Sequence, residues 1–473
     1  MRTKSFLLLL LLLWTSKNKA QNTEDVLNLL LQRKLISKSE VDSIRLRTST
    51  KQTEEEKDKS FSVNLQLKNR TEYRNGYGNI PEENSHPATF VNQRTRLNLL
   101  YHHEQKLKTV VSLQDARVWG SHDPKGLNGT IQLFEGYLEP YITPHFSIRI
   151  GRQRIALDNQ RLFAENDWRI NGASHDAINF IYENKKLNSE LIGAFNQTGE
   201  RLFGTDYTPA ELSITPATTT ASTWTNYKAL AVHYLKYEIS PKSTATTIVA
   251  ADAYQDAVIK EQNYWRFTYG GRIELKHKKW YATTNSFLQS GRNSTGKTIN
   301  AWYIQPEIKY SDKDNFTIRL GAEIISGDNG TIGNVDHNFV PLYGVAHRFN
   351  GFMDLFTKFP NDVHSAGLFN PYAFFSKKIT PKIELQTNHH LFYTQRSYTT
   401  TTNPNLAKFM GNEHDFVCTY KPNGFTFIEG GFAFVVPTDT MTQIKNFGDS
   451  DKIGKWAYIQ IRVTPVLFKT QFK

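Results

Sequence analysis

The sequence predicts an all-β protein, an 18-stranded antiparallel transmembrane β-barrel with a short N-terminal periplasmic helical extension. Three observations lead there. Residues 1–20 read as an export signal, a period-two alternation of apolar and polar residues sets in at Phe61, and the connections between alternating segments are short and long by turns along the chain.

The signal is read from Arg2 and Lys4, the apolar stretch Phe6–Trp14, and a small-residue cleavage point ahead of Gln21. That stretch is about half of the roughly 20 residues that a helix needs to cross a bilayer. Lipid attachment at such a site needs a cysteine, and the only one is Cys418, which also excludes an internal disulfide framework. Removing residues 1–20 takes away four basic residues and no acid, lowering the formal charge from +12 to +8. The mature chain therefore favours anionic partners, and export leaves nucleic acid outside that set. Aromatic residues make up 13% of a chain without any further long apolar run. Strands that alternate apolar and polar residues average to such a composition.

Residues 21–60 form the extension. VLNLLLQRKLISKSEVDSIRLR places Val26, Leu27, Leu30, Leu31, Ile36, Val41 and Ile44 at mostly helical spacings, and a charged, Thr-rich linker follows. The apolar stripe is expected to pack on a partner copy or against the main domain, and offers a contact for a periplasmic partner. From Phe61 the barrel begins. Phe61, Val63, Leu65 and Leu67 fall on one face, while Gln66, Lys68, Arg70, Glu72 and Arg74 fall on the other. The same alternation recurs in FVNQRTRLNLLY, YKALAVHYLKYEI, AWYIQPEIKY and WAYIQIRVTP.

Tight polar turns stand at 102–105, 142–145, 183–186, 240–243, 276–279, 311–315, 380–382 and 421–424, with longer irregular stretches between them. Eight short turns and nine long loops join 18 strands, an even count with both ends on the short-turn side. A soluble sandwich or propeller gives no reason for one set of connections to be systematically longer. The final strand carries Phe468 and Phe472 close to the terminus, as outer-membrane barrels tend to do.

One motif argues for different chemistry. GRNSTGKT, 291–298, fits the phosphate-loop pattern at every fixed position. A phosphate loop needs a helix after it, however, and here Ile-Asn-Ala-Trp-Tyr-Ile follows, with Pro306 soon after. It is read as a hairpin loop, without nucleotide. The adjacent pairs His102–His103 and His389–His390 point to opposite strand faces, which is wrong for chelating one metal. No nucleophile with a positioned base is apparent, so the chain is read as non-enzymatic, with no cofactor and no metal.

The densest polar segment is GRQRIALDNQRLFAENDWRINGASHDAINF, 151–180. In an 18-strand barrel a loop of this charge, folded inward, would narrow the channel and set its selectivity. The expected lumen-facing residues are Arg70, Arg94, Arg96 and Arg149 on strands. Arg152, Asp158, Arg161 and Arg169 are expected near the constriction.

This segment resembles the alginate export family of outer-membrane channels. The likeness rests on Gly151-Arg152-Gln153, Gln160-Arg161-Leu162, Trp168-Arg169 and Asp176, with a second block in AEIISGDNG (322–330) and PLYGVAHRFNGFMDLF (341–356). It covers 61–473 and implies a barrel in the outer-membrane lipid, with a pore narrowed by inward loops, lined by arginines, and passing an anionic solute or acidic polysaccharide. Asp158-Asn159, Ala164, Ala173 and His175 depart from the family pattern, which puts the substrate in doubt and leaves the fold standing. Two alternatives stay open: a trimeric phosphate- or anion-selective uptake porin, and a secreted soluble glycan-binding β protein.

Overall fold

The computed structural model describes residues 40–41, 59–121, 131–207, 227–256, 258–313, 315–330, 332–399 and 406–472. The export signal and nearly all of the 21–60 extension lie outside these residues. Within the unit Phe61–Lys469 the strands run in chain order: β1 (Lys59–Asn75), β2 (Ala88–His103), β3 (Leu107–Val118), β4 (Gln132–Thr143), β5 (Phe146–Gln153), β6 (His175–Glu183), β7 (Leu187–Phe195), β8 (Ala229–Ser240), β9 (Ser243–Gln255), β10 (Asn263–His277), β11 (Trp280–Arg292), β12 (Thr298–Ser311), β13 (Phe316–Ile325), β14 (Val335–Asp336), β15 (Leu368–Thr380), β16 (Ile383–Thr394), β17 (Phe409–Tyr420), β18 (Thr426–Pro437), β19 (Gly454–Val463) and β20 (Val466–Phe472).

These segments build 18 barrel strands. β14 is a two-residue bridge beside the start of β12, and β19 and β20 are one strand interrupted at Thr464-Pro465, where proline has no N–H for the ladder. Each strand pairs antiparallel with the next, and β1 pairs with β19 from Leu67↔Val463 to Asn75↔Lys455. Closure is what lipid demands, because an open edge would leave ladder N–H and C=O groups unpaired at several kcal/mol each, roughly.

The eight short turns fall where the sequence places them. The two faces of each strand are inverted relative to a soluble protein. Leu138, Ile150, Leu191, Ile273, Leu288 and Ile459 are exposed on the outside, whereas Lys68, Arg94, Asp252, Glu323, Asn388 and Glu413 are buried on the inside. Aromatic side chains sit exposed near both ends of the wall, with Tyr182, Tyr237, Trp280 and Tyr420 by the short turns and Tyr73, Trp265 and Trp302 by the long connections. Such paired girdles mark the two membrane–water boundaries.

The GRNSTGKT stretch is a hairpin. Asn293 Oδ1 accepts from the backbone N–H of Thr295 and Lys297, and the Lys297 amine donates to the Ile332 carbonyl at 2.8 Å. No helix follows it, since Thr298 opens β12.

Candidate channel constriction

Two long connections fold into the barrel. The first, 154–174, leaves β5 at Gln153 and returns at His175. The second, 326–367, joins β13 to β15. They meet in a short parallel bridge, Phe163↔Tyr343. Tyr343 N–H donates to Leu162 O (2.9 Å), Ala164 N–H to Tyr343 O (3.1 Å) and Val345 N–H to Gln160 O (2.9 Å). At Gly344 the two backbones come so close that an added Cβ would lie 1.8 Å from Arg161 O, so only glycine fits.

Three polar anchors pin the first loop across the lumen. Toward β1 and β2, Asp167 pairs with Arg94 at 2.7 Å, and Lys68 Nζ donates to the carbonyls of Asp167 (2.7 Å) and Trp168 (3.1 Å). Arg70 donates to Trp168 O (2.8 Å), with its guanidinium 4.2 Å from the centre of the Trp168 ring. Arg462 on β19 reaches the other Asp167 oxygen at 3.8 Å. Burial alone would raise the Asp167 carboxyl, but the Arg94 and Lys68 charges outweigh it and hold the group below the ordinary carboxylate value.

Toward β8 and β9, Asp158 accepts from Tyr234 OH (3.1 Å) and Thr246 Oγ1 (2.8 Å). Burial pushes this carboxyl up, and the two hydrogen bonds only partly offset that. Toward β13, Arg161 Nε meets Glu323 Oε2 at 2.8 Å with both side chains almost wholly buried, and Tyr303 OH donates to Glu323 Oε1 at 3.0 Å. The second loop is pinned separately. Tyr343 OH donates to Asp252 (2.9 Å) and Met353 N–H donates to Glu413 (2.8 Å), while Trp168 of the first loop stacks on His347 of the second with ring centres 4.4 Å apart. Between the anchors the loops pack an apolar core of their own, in which Ile155, Leu157, Phe163, Phe339, Met353 and Phe356 touch wall residues such as Ile248 and Phe392.

The residues expected from sequence separate into groups. Arg70, Arg94 and Arg96 lie on the lumen side, as the alternation requires, but are 4%, 0% and 5% exposed because the first loop covers them. Arg149 also faces inward and pairs with Glu139 at 2.8 Å. Arg152 does not join them. It alternates with Arg149 and Gln153, so it falls on the outer set beside Ile150, where it pairs with Asp176 at 2.9 Å and donates to Leu133 O. Asp158 and Arg161 are loop-to-wall anchors, and Arg169 is exposed on the loop. Sequence reasoning missed the wall partners Lys68, Asp252, Glu323 and Glu413. Lys68 stood on the polar face of the first legible strand, which was the available signal, whereas Glu323 lay in a segment read only for its motif. The lumen is also electrically lopsided. On β1–β5 the cations Lys68, Arg70, Arg74, Arg94, Arg96 and Arg149 outnumber the inward acids Glu72, Glu135 and Glu139, whereas on β9–β17 the acids Asp252, Glu274, Glu307, Glu323, Glu413 and Asp415 outnumber Arg266, Arg272 and Arg319.

No group of three or more potential metal ligands occurs among the described residues. His389 and His390 point apart as expected, His389 toward His414 and His390 toward Asn370.

A closed 18-strand barrel, apolar outside, polar inside and narrowed by inward loops, defines the class of porin-like outer-membrane channels. The chain belongs to the alginate export family, whose model matches residues 59–424. Among solved structures it is similar to OccAB4 of Acinetobacter baumannii, at 12% identity and a TM-score of 0.56 over 87% of this chain and 98% of that one. It is similar also to OccK3 (OpdO) of Pseudomonas aeruginosa, at 11% and 0.55 over 86% and 96%. The outer membrane protein OpdK of Pseudomonas aeruginosa matches at 11% and 0.55 over 87% and 99%. These likenesses show the fold. No curated protein sequence matches the chain. The protein is thus a non-enzymatic channel of the outer membrane, passing solutes.

Proposed function

We propose that this channel passes anionic solutes of the acidic-polysaccharide class, drawn along the basic arc on β1–β5. The observation that carries the reading is the lopsided charge of the lumen together with membership of the alginate export family. An arc with an excess of cations opposite an arc with an excess of carboxylates sets a field across the path, which orients and retains an anionic chain. The expected residues take different parts in it. Arg149 and Arg169 act on the solute, whereas Arg70, Arg94, Arg96, Arg161 and Asp158 hold the first loop in the lumen and so fix the bore. Residues 1–20 act as the export signal, and 21–60 as a helical contact for a periplasmic partner.

The test is single-channel conductance of the mature protein in a planar bilayer under a salt gradient. Discrete anion-selective steps, blocked by added uronate oligomers, are expected. Cation-selective steps, or steps indifferent to uronate, would overturn the reading.

A further inference from the structure

A second basic feature lies away from the constriction, at the short-turn mouth of β10–β12. A cavity of about 540 Å³ there is lined by Lys276, Lys278, Lys279, Lys309 and Lys313, with Trp280 and Tyr281 among the other lining residues. Among the described residues Asp312 is the one carboxylate in the lining, and its Oδ1 is engaged by the Phe316 N–H. Among the described residues, no ion pair to any of the five lysines occurs. Ordinary surface lysines are spaced apart by their mutual repulsion or interleaved with acids, so five around one cavity is an unbalanced positive field.

The register shows where this field points. Lys276 lies directly opposite Tyr281 on the β10–β11 ladder, and Tyr281 opposite Lys309 on the β11–β12 ladder. All three therefore share one face. That face is the lumen side, because two residues further along it come the inward Glu274, Thr283 and Glu307. The Tyr281 hydroxyl donates to Glu274 (2.7 Å) and accepts from Arg272 (2.7 Å), which fixes the ring upright in the mouth. Lys309 Nζ sits 4.8 Å from its centre. Trp280 takes the other face with the girdle, against Tyr310 at 4.9 Å.

We infer that this cavity is a capture site for acidic sugars arriving from the periplasm. A uronate unit presents a carboxylate and, on the pyranose ring, a face of weakly positive C–H groups. Lysine clusters suit the first as adaptable point charges, and a held aromatic ring suits the second through its negative π face. A phospholipid headgroup carries the same charge, but the bilayer touches the outer face of the wall, and Lys276, Tyr281 and Lys309 stand on the inner one. The site would concentrate acidic sugar at the periplasmic end of the channel. This inference rests on the reading of the channel as one for acidic glycans.

The test uses the full mature chain in a non-ionic detergent, titrated with a mannuronate hexamer in a calorimeter at low and at high salt. In the variant Lys276→Gln/Lys278→Gln/Lys309→Gln, binding is expected to weaken at least tenfold. A control with three lysines of other short turns changed, Lys185→Gln/Lys186→Gln/Lys382→Gln, should stay within twofold of the parent. Circular dichroism confirms that both variants keep the barrel. Equal loss in the two variants would overturn the site in favour of a diffuse basic rim. Displacement of the sugar by phosphatidylglycerol doped into the micelles would overturn it in favour of a lipid headgroup. Anion-selective conductance without hexamer binding sinks the site and spares the channel reading; hexamer binding lost in the variant, in a protein that conducts no anions, does the reverse.

Discussion

Replacing Arg161 with methionine tests what holds the first loop inside the barrel. Arg161 and Glu323 are 2% and 0% exposed at 2.8 Å, so water cannot replace a lost partner. Removing one member of a buried pair strands the other charge and costs about 3–5 kcal/mol. The barrel ladder is untouched by this, so the cost falls on docking of the loop against β13. At ~1.4 kcal/mol per tenfold, the undocked population rises by a factor of roughly a hundred to a few thousand. Two assays read that shift: larger and noisier single-channel conductance, and faster proteolytic cleavage within 154–174 of the native protein. Changing both partners, Arg161→Met with Glu323→Leu, removes the stranded charge and should recover most of the protection. If cleavage and conductance of Arg161→Met stay within twofold of the parent, the pair is not what pins the loop.

Four further outcomes follow from the same geometry. Gly344→Ala forces a Cβ into Arg161 O and should separate the two loops at a cost of a few kcal/mol, visible as hydrogen exchange at the Tyr343 and Val345 amides. Asp167 has its pKa depressed in the docked state, so its contribution is complete above 3.8 and is lost as pH falls below that value; proteolytic protection of the loop should decline in acid and not in base. Tyr343→Phe deletes the hydroxyl donated to Asp252 and should weaken docking of the second loop by about 1–2 kcal/mol, read as earlier proteolysis within 326–367. Arg149→Ala should lower anion selectivity while leaving the barrel's heat-resistant migration in gels unchanged, because the backbone ladder of β4 and β5 does not depend on the Arg149–Glu139 pair.

The barrel was legible because its rule is local. Each strand displays its two faces every second residue, as in FSVNLQLKNRTEYR, and each short turn carries its own polar signature, so the faces could be read segment by segment and the strand number from the alternation of short turns and long loops. The inward loop was also legible, through its density of charge. Its contacts were not, since Arg161 and Glu323 are 162 residues apart and nothing at either position names the other. Arg152 shows the limit in a single residue. Whether it faces lumen or lipid depends on the parity of β5, and one residue's shift reverses every side chain. The break at Thr464-Pro465 was hidden for another reason, since WAYIQIRVTP reads as an unbroken alternation until the ladder partner is known.

Asp167 touches more than the constriction. Its carboxylate lies between Arg94 on the second strand and Arg462 on the last full one, with Lys68 and Arg70 of the first strand holding the adjoining carbonyls. The seam where the chain's beginning meets its end is therefore riveted from within by a loop made a third of the way along. Seam and loop therefore strengthen each other, and a mutation that frees the loop also loosens the joint between the first and last strands.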